Sequence, residues 1–438
     1  IGEAFVNVPL SKNIAARVVG WYDKKAGYID NVPGTLFFPT SGITMNNAQF
    51  VEKNYNDVET YGGRAALKID LNEDWTITPQ IMAQKQKAHG SFAVERGLGD
   101  LQVQQFNPEY SNDRWYQAAL TIEGKIGNWD VTYAGAFLNR KIDSASDYAD
   151  YAYFYDQIAG YGAYFVDNAG NPINPNQRIF ARDRFKKQSH ELRFTSPTGG
   201  VARFIGGLFY QRQKHNIEQN YIVDGIADAI TVPGTASDIW LTKQLRIDRD
   251  YAAFGELTVD VTSKLSATMG VRIYHFNNSL VGFYGYSDGY SSKTGVAACF
   301  KDANGNLLPA AVKGGPCTNL DNSTKDTGFI HKLNLTYKFT PDLMVYVTNS
   351  RGFRPGGINR RATVPPYDAD FVNNYELGFK TSWFDKKLRI NGAFYLLNWI
   401  DFQYSALGQN GLTEIRILEV DPVEQEEGAI DAQLLVEP

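Results

Sequence analysis

No apolar run in this chain approaches the ~18 residues that a membrane-spanning helix needs. If the chain crosses a membrane, it must do so with β-strands, because lipid tolerates no unpaired backbone edge. The formal net charge is −5, so no basic surplus points to nucleic acid. The five histidines, His89, His190, His215, His275 and His331, are scattered singly and lack zinc-site spacing, so they read as lumen or loop residues. No export signal opens the sequence, and Ile1-Gly2-Glu3-Ala4-Phe5 already reads as strand, so the chain is expected to be cropped or processed. There are only two cysteines, Cys299 and Cys317, close together in a Gly/Asn/Asp-rich stretch. A loop pair of this kind is expected to form a disulfide in an oxidising compartment, against the alternative of two free thiols.

What the chain has in quantity is glycine (40), tyrosine (26) and phenylalanine (26) over 438 residues. Its mean hydropathy is −0.34. Lys332 to Phe339 alternates polar and apolar without a break, and Arg64 to Leu71 enters its turn with the same period. Period 2 is the signature of a strand with one apolar face. Short turns of similar chemistry punctuate such strands: Leu10–Asn13, Asn72–Asp74, Gly127-Asn128, Pro197–Gly200, Thr262–Lys264, Thr340–Asp342 and Asp385–Lys387. Seven turns imply about fourteen strands. Between the hairpins lie long segments, roughly 30–58, 90–112, 146–182, 219–244, 285–326 and 356–372.

Long loops that always alternate with short turns fit an antiparallel up-and-down β-barrel of the outer-membrane type. The stretches 131–140, 203–212 and 265–277 reach the ~9–11 residues that a tilted barrel strand needs. Trp75, Trp129 and Trp383 lie beside short turns, where a barrel carries an aromatic girdle. The competing reading is a soluble sandwich with tryptophans capping its core. The register predicts Leu67, Ile69, Leu120, Ile122, Leu257, Val259, Leu333 and Leu335 on the lipid face. Lys68, Glu123, Thr258, Asn334 and Lys338 are expected on the lumen face.

Tyr346-Val347-Thr348-Asn349-Ser350-Arg351-Gly352-Phe353-Arg354-Pro355-Gly356-Gly357, followed by Asn374-Tyr375-Glu376-Leu377-Gly378-Phe379-Lys380, resembles the late strands of TonB-dependent outer-membrane receptors. Asn7 to Ser11 and Ala16 to Gly20 resemble the early strands of that family. The resemblance implies an importer in the outer membrane of a Gram-negative bacterium. Its ligand is scarce, most often a ferric siderophore, and its energy comes through a TonB-type transducer acting on a plug domain. Cobalamin and oligosaccharides are alternative cargoes, and a passive porin is the rival mechanism. Outer-membrane lipid and lipopolysaccharide are the surroundings it implies, with a monomeric receptor, no cofactor and no catalysis. The family barrel has about 22 strands, so about fourteen imply a partial barrel. Residues 1–407 are assigned to the barrel. Residues 408–438 are acidic and non-alternating, and are expected off the wall, with the first and last strands unpaired.

Several motifs have a chemical and a plain reading. Gly285-Tyr286-Ser287-Asp288-Gly289 has G-x-S-x-G spacing, but a nucleophile elbow needs a helix after it, and no helical period follows. Asp302–Asn306 and Asp167–Asn171 carry oxygen ligands of calcium-loop type, yet their pattern is equally that of ordinary turns. No metal site is expected. Tyr151, Tyr153, Tyr155 and Tyr161 lie in a long loop interleaved with acids, as a platform for a flat or sugar-like ligand or as self-packing rings. Arg351, Arg354, Arg360 and Arg361 suit an anionic ligand, lipopolysaccharide phosphates or plug carboxylates.

Overall fold

The structure is a computed structural model that describes residues 1–290, 294–407, 413–417 and 433–435. Fourteen long strands form one antiparallel sheet in chain order. They are β1 (Gly2–Pro9), β2 (Ile14–Lys25), β3 (Val58–Asp70), β4 (Thr76–His89), β5 (Tyr110–Ile126), β6 (Trp129–Asp147) and β7 (Arg178–Thr195). Then follow β8 (Ala202–Ile222), β9 (Asp238–Asp260), β10 (Leu265–Tyr286), β11 (Leu320–Thr340), β12 (Leu343–Arg354), β13 (Asp370–Trp383) and β14 (Leu388–Ile400). Every long strand pairs with its neighbour in sequence, as an up-and-down barrel wall requires. All seven expected short turns are present. Four use one device, in which a side-chain oxygen accepts a backbone N–H two residues on: Ser11, Asn72, Thr262 and Thr340.

Directly paired residues share a face, so the register sorts the wall into two surfaces. Leu67, Leu120, Ile122, Leu257, Leu333 and Leu335 lie on one of them, with Ile81, Leu208, Ile273 and Phe329. Leu208, Ile273 and Phe329 are 60, 55 and 60% exposed, which only a lipid-facing surface explains. Lys68, Glu123, Thr258, Asn334 and Lys338 lie on the opposite, inner surface. There Arg140 pairs with Asp113 at 2.5 Å and Lys332 with Glu256 at 3.1 Å. Three of the histidines depart from expectation, while His215 stands on the inner surface. His190 pairs across to Tyr210, Tyr210 to Tyr251, and Tyr251 to His275, so His190 and His275 stand on the outer surface. His331 shares that surface and contacts Asn349. Each is held by a neighbouring hydroxyl, amide or ring, as a half-polar ring near a lipid interface requires.

The resembling motif on β13 has a packing reason. Tyr346 lies directly across from Gly378, where a Cβ would sit 2.4 Å from its ring. The phenol of Tyr346 donates to Glu376 at 2.5 Å. The glycine gives the ring a floor and the glutamate gives its hydroxyl a partner.

Three of the four buried clusters lie at the long-loop end, and the fourth joins Tyr274 and Phe276 of β10 to Ala369. One is Ile29, Tyr55 and Val103; another is Val232, Leu241, Phe283, Cys299 and Cys317. Cys299 and Cys317 are bonded, with Cα atoms 6.1 Å apart, in the loop between β10 and β11. Asp167 and Asp302 each turn their carboxylates back onto their own loop, accepting from Asn171 and Asn306, so both segments are closed turns. The segment after Gly285 runs into turn, and among the described residues no α-helix follows it.

At the edges, no described residue of β1 pairs with β14. Of the acidic tail, Thr413–Ile417 pairs with Gln403–Leu407, and Gln433–Leu435 adds to β14 at Arg389–Asn391. The rest of the 408–438 assignment lies outside the described residues.

Candidate ligand-binding site

The site is built at the long-loop end of the inner surface. Strands β8, β9 and β10 each end there in aromatics: Tyr221 pairs across to Trp240, and Trp240 to Tyr286. Trp240 meets Tyr284 and Tyr286 edge-on, with centroids 4.6 and 4.5 Å away. Beneath them Phe165, Val223, Ile226 and Ile239 form a buried floor.

A helix closes one side. Helix α1 (Ala149–Ala159) starts where Asp147 accepts the N–H of Ala149, and stops at Gly160 with φ +65°. That left-handed residue is where glycine carries no Cβ penalty. Asp156 on α1 is 2% exposed and accepts from Thr40 and Gly162, which anchors the helix to the β2–β3 loop. The helix thereby presents Tyr151, stacked on Tyr148 at 4.5 Å and tilted against Tyr155 at 4.6 Å. Tyr148 in turn meets Tyr221 edge-on at 5.6 Å, joining the helix rings to the strand rings.

The β12–β13 loop closes the other side. Its Gly356 and Gly357 are required sterically: added Cβ atoms would lie 2.5 Å from the Tyr367 carbonyl oxygen and 2.2 Å from its hydroxyl. Asn278 donates to Gly356 O, and Gln244 to Arg360 O, so two buried inner-surface amides hold the loop over the wall. Arg360 then reaches Gln219 at 3.3 Å.

Together these elements enclose a cavity of about 600 Å³, lined by nine aromatic residues with Tyr148, Tyr151, Trp240 and Tyr286 among them, by Gln177 and Gln219, and, among the described residues, by one cation, Arg360. Among the described residues its lining holds no carboxylate, histidine or thiol, so it lacks the commonest ligands for a bare metal ion. It offers ring faces, amide donors and acceptors, and one guanidinium. The phenol of Tyr151 is pushed up by burial and by Tyr155, so it stays a hydrogen-bond donor at any physiological pH. Asp150, in the first turn of α1, keeps a solvent-facing edge. The protein around it strips water, and Glu95 and Asp147 add like charge, which pushes its carboxyl up to about 6.

Of the eight residues singled out from the sequence, the structure brings Tyr151 and Arg360 into this cavity, with Tyr155 stacked behind Tyr151. Tyr153 instead packs on buried Phe38 at 6.0 Å. Arg354 is held by Asp370 at 2.5 Å. Arg351 lies over the Phe371 ring at 4.0 Å, and Arg361 is outside the lining. The side chain of Tyr161 lies outside what the structure describes. The strand-end residues Tyr221, Trp240, Tyr284 and Tyr286 were missed. Their signal is an aromatic at the loop-side end of three successive strands.

The geometry agrees with the comparisons. Residues 84–417 match the model of the family described as TonB dependent receptor-like, beta-barrel. The chain belongs to this family. Similar solved structures include the ferric yersiniabactin uptake receptor FyuA from Yersinia pestis, with TM-score 0.67, 14% identity, and 92% of this chain and 52% of that one covered. The siderophore receptor PiuA from Acinetobacter baumannii gives 0.60 and 13%, with 92% and 55% covered. The copper transporter OprC gives 0.55 and 12%, with 93% and 53% covered. This chain therefore spans about half the length of the solved structures it matches. At such identities the likeness shows the shared barrel fold. The TonB-dependent receptor barrel sits in the outer membrane of Gram-negative bacteria, and its members transport rather than catalyse.

Proposed function

We propose that this barrel belongs to an importer that captures a ferric siderophore at its long-loop mouth. A plug domain and a TonB-type transducer, as the family implies, would drive release inward, with the receptor working as a monomer. One observation carries the ligand reading: a ring-lined cavity with, among the described residues, one cation and no carboxylate, histidine or thiol. Such a site reads the periphery of an anionic chelate whose metal is already fully held. The siderophore receptors FyuA and PiuA, which share the fold, support the same direction. Stacked tyrosines also suit sugar rings, which keeps an oligosaccharide as the second reading.

Trp240 makes the test direct, because its fluorescence reports on the cavity. The intact receptor is titrated with ferric catecholate, hydroxamate and carboxylate chelates, with cobalamin and with oligosaccharides. One ferric chelate is expected to quench the emission and to restore growth under iron limitation. Response to cobalamin or oligosaccharide alone replaces the cargo, and open conductance in planar bilayers without any ligand response replaces the importer with a pore.

A further inference from the structure

The long-loop end is poor in positive charge that a ligand could use. Four cations at the loop-side ends of β7, β9 and β12 are already neutralised. Arg178 is held by Asp224 at 2.5 Å, and Arg182 and Lys243 share Glu218 at 3.5 and 2.6 Å. Arg354 is held by Asp370. Arg360, which lines the cavity, is in no ion pair among the described residues. Its guanidinium donates to Gln219 Oε1 at 3.3 Å, which leaves the Nε2 group of Gln219 to donate elsewhere. Gln177 also lines the cavity, is 5% exposed, and has no hydrogen-bond partner for its side-chain amide among the described residues. The site therefore offers one positive charge and several neutral donors.

Two further features oppose negative charge. Ring faces carry the negative side of the aromatic quadrupole, so a cavity lined by nine rings gives an anion little beyond Arg360. The six long segments between strands, 26–57, 90–109, 148–177, 223–237, 287–319 and 355–369, hold fourteen Asp and Glu against seven Lys and Arg, a net of −7. Asp100, Asp228 and Asp288 stand exposed among them. A rim of one sign lowers the local concentration of ligands of the same sign and slows their encounter.

Ferric chelates differ in this property. Iron held by three catecholates keeps three net negative charges, whereas iron held by three hydroxamates keeps none. The first kind would bring two unpaired charges into a partly desolvated, ring-lined site. The second needs donors to its amide and hydroxamate oxygens, which Arg360, Gln219 and Gln177 supply. We infer that the mouth is a charge filter, passing ferric chelates of the hydroxamate class whose net charge is zero or minus one and turning away tricatecholates and polycarboxylates. The inference rests on the ferric-siderophore reading of this cavity and adds the charge class of the cargo.

The test titrates the intact receptor, with Trp240 emission as readout, against four ferric complexes. They are a neutral tris-hydroxamate, the same chelator carrying one added carboxylate, the same carrying three, and a tris-catecholate. The first two are expected to bind, and the last two about a hundredfold more weakly. High salt should narrow that gap by screening the loop acids. Asp100→Asn/Asp228→Asn/Asp288→Asn removes three exposed acids outside the cavity lining. It should speed association of the tricarboxylate several-fold and leave the neutral complex unchanged. Gln177→Arg adds a second cation and should strengthen the tricarboxylate about tenfold. If that variant does not fold, the loop triple variant decides. Binding of the tris-catecholate or the tricarboxylate as tightly as the neutral complex overturns the filter and leaves the siderophore reading standing. A gap that neither salt nor the loop variant narrows also overturns it, because shape rather than charge then discriminates. Response to cobalamin or an oligosaccharide and to none of the four complexes overturns both.

Discussion

At the short-turn end, four turns close on a single side-chain oxygen, and Trp129 and Trp383 stand exposed beside two others. At the long-loop end, α1, the disulfide and three buried clusters build what a globular protein would call a core. The contrast is physical. Mid-wall residues have lipid on one side and lumen on the other, so alternation alone satisfies them. Loops reaching into water must bury their own apolar groups to hold a shape. A binding cavity therefore forms at the end that already has a packed interior.

The sharpest way to break this comparison is on the wall. Leu335→Arg places a guanidinium mid-strand on the lipid surface and is expected to destabilise folding by ~2–4 kcal/mol. Asn334→Arg, one residue away on the inner surface, should change it by well under ~1 kcal/mol. Equilibrium unfolding in lipid vesicles compares the two, and equal effects would remove the two-surface assignment.

Reducing Cys299–Cys317 attacks the other end. The bond spans 18 residues, and its loss should release up to ~3 kcal/mol of chain-entropy restraint. Exchange and proteolysis should rise across residues 287–319 and leave β11 and β12 protected. Loss of protection along those strands would mean that the two ends are not independent. A smaller effect is expected in the cavity: Trp240→Ala removes two edge-on ring contacts and should weaken ligand by about tenfold in a titration. Trp399→Ala, outside the cavity lining, should leave affinity unchanged.

The wall was legible because period 2 is written locally: Lys332 to Phe339 names its own two faces, and four of the seven turns follow from Asn, Ser and Thr placement. The site was legible only in part. Tyr151 and Arg360 stood out as residue types in long loops. Tyr221, Trp240 and Tyr286 become neighbours only once the register of β8, β9 and β10 is set, and no local pattern carries a register across 65 residues. Three histidines, His190, His275 and His331, departed for a related reason. Polarity alone put His190 inside, while its cross-strand neighbours Gly135 and Tyr210 place it in an aromatic row outside.

The smallest expected effect belongs to Asp150 and sharpens the account of the loop end. Its carboxyl titrates at about 6 in the folded chain, against an ordinary value near 3.8. A raised acid holds its proton more tightly when folded, so the folded state is favoured below the ordinary value. That advantage is lost as pH rises toward about 6. The same step places a negative charge on the first turn of α1, the helix that carries Tyr151 into a cavity where Arg360 is the one cation among the described residues. An anionic chelate should therefore bind a few-fold more weakly above pH ~6 than below it, by simple like-charge repulsion across a partly solvated edge. Asp150→Asn should flatten that dependence and keep the tighter value at both pH extremes. If the variant keeps the wild-type slope, the pH dependence belongs to the ligand's own acids, and the helix that presents the tyrosines plays no electrostatic part in capture.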